Sequence, residues 1–267
     1  MQTLLVKPTA VNATGRIIHV TPESAGWRYV GFDVYRLSAG TPLKQATEGN
    51  EALLVVLSGR ARVTAAGVDF GVVGARMSPF DGTPWSVYVP AKAAFEMTPE
   101  TPVELAICRA PAEGRLPPRV IPAGAVKQTT RGRGTNTRFV RSILLESEPA
   151  ESLLVSETIT PSGHWSSYPP HKHDTDNRPA ESYLEETYYH RLSPSQGYAL
   201  QRVYTDDRTL DVTVAPYDGD VVLVPRGYHP VAAPYGFDLY YLNVMAGPHR
   251  EWHVHNEPSY EWLLQEC

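Results

Sequence analysis

Short apolar runs broken by turn residues dominate the chain, and few stretches carry the spacing of an amphipathic helix. EALLVVLSGRARVTAAG (residues 51–67) joins an apolar run to a second, alternating run through a Ser-Gly turn. WSVYVP (85–90) and VELAICRA (103–110) predict further strands. Residues 111–134 hold four prolines and four glycines among few apolar runs and read as a connection. A second β-rich block follows, with SLLVSETIT (152–160), EETYYHRL (185–192), YALQRVYT (198–205), VVLVP (221–225) and DLYYLNVMAG (238–247). The pattern predicts an all-β protein with turns at the intervals of an antiparallel barrel or jelly roll. It divides into an N-terminal unit over 1–125 and a C-terminal unit over 126–267.

The halves share a faint repeat. Glu51 enters LLVVLSG as Glu186 enters TYYHRL, and each half later has a valine-rich strand closed by proline, VYVP and VVLVP. This suggests duplication. A length of 267 residues suffices for two such units, and 20 glycines, 24 prolines and 15 tyrosines agree with many turns and short strands.

The charge balance, 24 Lys and Arg against 29 Asp and Glu, gives a net −5, without the basic footprint of a nucleic-acid binder. Arg131, Arg133, Arg138 and Arg141 cluster locally, but glycines interrupt them, so they read as a solvated connector or a loop reaching a neighbouring barrel. Two cysteines, Cys108 and Cys267, with no C-x-x-C, fit a reducing compartment. No signal-like segment and no membrane-length apolar run is seen, so a cytoplasmic location without membrane contact is expected.

Histidine placement points to the chemistry. Of nine histidines, only His19 precedes residue 164. His171 and His173 are two apart, so on a strand they share a face and can grip one cation. Glu186 follows at the start of a strand-like run, and His229 follows the Pro-Arg-Gly turn of DGDVVLVPRGYHP. Imidazoles with a carboxylate suit zinc, manganese, iron or nickel and leave a position for water or substrate. Glu181, Glu185 and Glu186 compete as the carboxylate; strand alternation puts Glu186 on one face with Tyr188 and His190, and Glu185 on the other. A second His-x-His, His253 and His255, reads as a packing or supporting element, and His164 as structural.

The order Gly163, His171-x-His173, Glu186, then Gly219-DVVLV-Pro225-x-Gly227-x-His229 resembles the two consensus motifs of cupins. HKHD, ESYLEETYYHR, QRVYTDDR, DGDVVLVPRGYHPV and DLYYLNVMAGP resemble the 5-deoxy-glucuronate isomerases of bacterial inositol catabolism, densely over residues 162–262 and more thinly before. The resemblance implies a bicupin, two jelly-roll β-barrels in tandem, the first without metal histidines. It implies conversion of 5-deoxy-D-glucuronate to 5-dehydro-2-deoxy-D-gluconate. It implies one divalent ion, zinc or manganese before iron or nickel, held by His171, His173, Glu186 and His229. The twelve residues between His173 and Glu186 make a longer gap than most cupins have, which keeps Glu181 and Glu185 in competition.

Such a reaction needs charge stabilisation of an enediolate, a base, and a cation for the substrate carboxylate. Glu185, Tyr189 and His190 are the candidate bases; Arg178, Arg202 and Arg226 are the candidate anchors. The expected partner is a small sugar acid, and exposed barrel edges are a route to a homo-oligomer. Two other readings share the ligand set: an iron-dependent cupin dioxygenase and a non-catalytic sugar-acid binding cupin.

Overall fold

The computed structural model describes residues 3–266, so Cys267 lies outside the described residues. Among the described residues the regular secondary structure is nearly all strand, as expected, with one four-residue α-helix at Pro22–Ala25 and three 3-10 segments. It forms two compact units. One holds residues 8–127 and 142–155; the other holds residues 1–7, 128–141 and 156–267. The connection read at 111–134 is itself structured: Arg119–Ile121 is an edge strand beside Trp85–Val89, and Lys127–Arg131 is the edge strand of the C-terminal unit's large sheet.

In the N-terminal unit a six-stranded sheet is built around Asn50–Ser58, Val103–Pro111 and Gly31–Leu37. A four-stranded sheet runs Leu43–Ala46, Ala94–Pro99, Ala61–Ala65, Val68–Val73. Alternation along each strand sends Leu54, Val56, Leu105 and Ile107 of the first sheet against Val63 and Met97 of the second. Glu51, buried at the head of its strand, accepts hydrogen bonds from the backbone N–H groups of Glu151, Ser152 and Leu153 and from the Tyr88 hydroxyl. Its partners are backbone donors of a passing segment and a phenol, so the acid that parallels Glu186 in the repeat serves here as a structural clamp.

In the C-terminal unit the large sheet has the order Leu5–Val6, Val221–Val224, Glu185–Ser193, Asp238–Ala246, Leu154–Thr160, Arg138–Leu144, Lys127–Arg131. A smaller sheet runs Trp165–Ser166, Val231–Ala232, Leu200–Tyr204, Asp211–Val214. Between them lie Tyr188, Leu192, Val203, Val222, Val231 and Tyr241. The sheets remain separate rather than closing into a continuous barrel. Glu185–Ser193 is central, flanked by Val221–Val224 and Asp238–Ala246 in full antiparallel register, so every side chain along it has a fixed direction.

A buried ion pair in this unit joins Arg141 to Glu157: Arg141 donates to Glu157 at 2.9 Å, and Glu157 also accepts from the Tyr240 hydroxyl at 2.9 Å. Arg141 is therefore an interior residue, not part of a solvated connector. No helix among the described residues is long and apolar enough to cross a membrane.

The Glu51 clamp gives a stability prediction. Glu51→Ala orphans several buried donors at once, each worth about 1–3 kcal/mol, so the variant is expected to lose about 3 kcal/mol or more. Urea unfolding of the two proteins measures this; a loss below about 1 kcal/mol contradicts the clamp.

Candidate functional site

Three buried residues bring ligand atoms together: His173, Glu186 and His229, all within 4.8 Å of one another. Each is placed by a different device. Glu186 stands on the central strand opposite Met245 and Val224, facing the interior. His229 follows the Pro225–Gly227 turn, where Gly227 has φ +88° and an added Cβ would meet the Tyr204 carbonyl oxygen at 2.4 Å. Only glycine fits there, and its N–H donates to Asp174 at 2.8 Å, tying the turn to the segment that carries His173. That segment is held in turn by Glu181, which accepts from the Asp174 and Thr175 N–H groups, and by Lys172, 2.9 Å from Asp174.

The hydrogen bonds decide the tautomers. His173 Nδ1 lies 3.0 Å from the Leu184 carbonyl oxygen, and His229 Nδ1 lies 2.8 Å from that of Gly227. A carbonyl only accepts, so each Nδ1 carries the hydrogen and each neutral ring turns the lone pair of Nε2 inward. The two Nε2 atoms lie 3.1 and 3.2 Å from Glu186 Oε2. Three acceptors thus meet with no hydrogen to share, and His229 Nε2 is buried without a hydrogen-bond partner. A divalent cation resolves this arrangement, and the donor set of imidazole and carboxylate suits one. The other carboxylate oxygen accepts from Asn243 Nδ2 at 2.7 Å, an orienting contact of the kind that tunes metal ligands.

With no cation present, a proton has to take its place. Burial by itself raises the Glu186 carboxyl, but a hydrogen bond from a protonated His173, with His229 beside it, outweighs this and holds the pKa at about 2. Burial lowers the His173 imidazole, and Glu186 more than offsets this, so its pKa rises.

His171 stands slightly apart. Its ring lies 5.0 Å from that of His229 and 6.3 Å from that of His173, and it lines the cleft beside Glu186. The strand it starts, His171–Lys172, pairs with His255–Asn256. The second His-x-His therefore works as the brace of the first. Burial and then the neighbouring imidazoles push His171 well below its usual pKa, which keeps it neutral.

The cleft encloses a cavity of about 40 Å³. Besides His171 and Glu186 its wall presents two hydroxyl pairs: Ser167 with Tyr188 at 2.9 Å, and Ser166 with Tyr241. Arg131 and Arg138 also line it, with Trp252. Glycine-broken spacing hid these two arginines in what read as a connector; the alternation RFVRSI (138–143), with Val140 and Arg138 two apart on a strand, was the available signal.

The other sequence candidates lie elsewhere. Glu185 and Tyr189 are buried on the opposite face of the central strand from Glu186. His190 shares the Glu186 face but lies behind the cleft, its Nε2 3.0 Å from Gln201 Oε1, and burial lowers its pKa to about 4. Of the three arginines offered as anchors, none lines this cleft. Arg178 pairs with Asp176 and Glu251, Arg202 is held by both carboxylate oxygens of Asp211, and Arg226 is exposed. Alternation along Leu200–Tyr204 turns Arg202 to the outer face of the smaller sheet. Proximity to His229 in sequence suggested Arg226, but the glycine turn sends the two side chains apart.

The chain is similar to known proteins over nearly its whole length. The family model described as the KduI/IolB family matches residues 4–263. The 5-deoxy-glucuronate isomerase of Geobacillus kaustophilus is 52% identical over 266 residues, spanning 99% of this chain and 96% of that protein. The crystal structure of an IolB-like protein from Salmonella typhimurium is similar at a TM-score of 0.95 and 49% identity, covering 98% of this chain and 99% of that one. The oxalate decarboxylase of Lactobacillus farciminis is similar in fold, with a TM-score of 0.70 at 13% identity over 99% of this chain and 91% of that one. The fold is a bicupin.

The convergence of acceptors predicts an unusual stability response. In Glu186→Gln the amide oxygen can still accept from Asn243 while its NH₂ donates to an imidazole. In chelator the variant is expected to be more stable than the wild type by about 1 kcal/mol, or about 2–4 °C in melting temperature. Added zinc or manganese should then raise the melting temperature of the wild type only. An equal metal-dependent rise in both proteins contradicts the arrangement.

Proposed function

The chain belongs to the KduI/IolB family, and from that premise we propose that it is a 5-deoxy-glucuronate isomerase, an aldose–ketose isomerase converting 5-deoxy-D-glucuronate to 5-dehydro-2-deoxy-D-gluconate in inositol catabolism. The observation that supports this reading best is the convergence of buried His173 and His229 on Glu186, which itself lines a cleft that also presents His171, serine and tyrosine hydroxyls and two arginines.

In this reading His173, Glu186 and His229, with His171 at the rim, would hold one divalent ion, zinc or manganese by donor chemistry. When bound, such an ion supplies positive charge beside the carbonyl and hydroxyl oxygens of an open-chain sugar acid. The rest of the work falls to the chain's own groups. The reaction moves a proton from C2 to C1 and another from the C2 hydroxyl to the C1 oxygen, with no net oxidation. Tyr188 with Ser167, and Tyr241 with Ser166, each form a hydroxyl pair that can give one proton and take one, so they suit the oxygen-to-oxygen transfer. Burial first, and then the Glu186 charge, push the Tyr188 hydroxyl well above its usual pKa, so it acts as a donor rather than as a phenolate. His190 stacks behind Tyr188 with ring centroids 6.1 Å apart and helps to orient it.

Purified protein is expected to convert 5-deoxy-D-glucuronate, to lose turnover in chelator, and to regain it with one equivalent of zinc or manganese. Tyr241→Phe should lower kcat about 100-fold, the lower end for a positioned proton donor, with little change in KM. Undiminished turnover in thoroughly chelated protein would sink the metal-assisted reading, and tight sugar-acid binding without any turnover would favour a binding module.

A further inference from the structure

The isomerase reading leaves one part of the substrate without a partner. A 5-deoxy uronate carries its reacting aldehyde at one end and a carboxylate at the other. The metal-ligand cluster accounts for the first end only. A carboxylate entering this cleft also meets Glu186, and it needs compensating positive charge away from that residue.

Among the residues lining the cleft, Arg131 and Arg138 are the only cationic side chains, and Glu186 is the only acidic one. Both arginines come from the edge of the large sheet, Lys127–Arg131 and Arg138–Leu144. Glu186 stands on the central strand, with Asp238–Ala246 and Leu154–Thr160 between it and that edge. The positive and negative groups thus enter the cleft from strands three and four positions apart in the sheet, so one ligand can meet them at different ends.

The guanidinium groups are held in place by contacts other than the ligand they would bind. Arg138 donates from one terminal nitrogen to the Asn136 carbonyl oxygen at 3.0 Å and to Asn136 Oδ1 at 3.1 Å. Asn136 is in turn anchored, its amide donating to the Tyr168 carbonyl oxygen at 2.9 Å. Arg131 lies over the Trp252 ring with 5.8 Å to its centroid, and among the described residues it forms no ion pair. An arginine on an indole face keeps its hydrogen-bonding edge available. Arginine's planar fork matches a carboxylate, and a side chain already positioned loses little freedom on binding.

We propose that Arg131 and Arg138 form the carboxylate anchor of the site and set its preference for a sugar acid over the corresponding neutral sugar. This rests on the isomerase reading. Arg138 gives the fixed contact, and Arg131, on the exposed edge strand, closes over the carboxylate from the mouth.

The test uses full-length protein loaded with zinc or manganese and two unreactive open-chain polyol inhibitors. These differ at one terminus only, a carboxylate in one and a hydroxymethyl group in the other. Inhibition constants are measured against 5-deoxy-D-glucuronate for the wild type, Arg131→Gln and Arg138→Gln, with bound metal and melting temperature recorded for each. The wild type is expected to bind the acid at least about 10-fold more tightly than the alcohol. Each variant should raise KM for the substrate about 10- to 100-fold, the range for one charge-assisted hydrogen bond, with smaller changes in kcat. Each should also bring the two inhibitors to within about threefold of one another while metal content stays at the wild-type level. A wild type that does not distinguish the inhibitors overturns the anchor, as do variants that keep the wild-type preference or weaken both inhibitors equally. A wild type that turns over no 5-deoxy uronate overturns the isomerase reading itself, and this outcome is visible before any variant is made.

Discussion

Two imidazole nitrogens and a carboxylate oxygen point at one another in the interior with no proton assigned to any of them. Buried acceptors facing one another repel and are left unsatisfied, so the arrangement persists only because the surrounding structure enforces it. Two backbone carbonyls fix the imidazole tautomers, and Asn243 occupies the second oxygen of Glu186. The shell also excludes the easy escape of ring rotation, since turning either imidazole would break its Nδ1 hydrogen bond. Much of the C-terminal unit can be read as support for this cluster.

That support converges from distant parts of the chain. Asp174 receives the Gly227 N–H and the Lys172 ammonium, while Glu181 receives the N–H groups of Asp174 and Thr175. The loop between His173 and Glu186, which made the ligand spacing atypical, therefore contributes its own internal clamp. The His255–Asn256 strand adds the outer brace. Two acids that competed with Glu186 for the same role are accounted for by position: Glu181 bonds the backbone of the loop, and Glu185 faces across the central strand.

The N-terminal unit shows what the same strand position does without imidazoles. Glu51 enters its strand as Glu186 does, but its oxygens are filled by backbone N–H donors and a tyrosine hydroxyl. A buried carboxylate must have its lone pairs met, and here hydrogen bonding meets them in place of a cation cluster. One architecture thus supports a candidate metal centre in one unit and a structural clamp in the other.

The sequence by itself pointed to the all-β class, to the concentration of histidines after residue 164, and to His171, His173, Glu186 and His229 as candidate ligands with Glu181 and Glu185 in competition. The structure brings His173, Glu186 and His229 together and sets His171 slightly apart. What the sequence pointed to follows from local rules: strand alternation sets the face of each side chain, and a glycine turn aims the residue that follows it. Tertiary structure alone decided which groups share a cavity. Arg131 and Arg138 line the cleft because their strands lie in one sheet with the central strand, four and three positions from it, joined through the neighbouring strands Leu154–Thr160 and Asp238–Ala246. The arginines that looked nearer in sequence, Arg178, Arg202 and Arg226, are directed to other surfaces by loop course, strand face and turn geometry. Sequence spacing reports direction within an element, whereas proximity across a sheet depends on strand order, which no local pattern encodes.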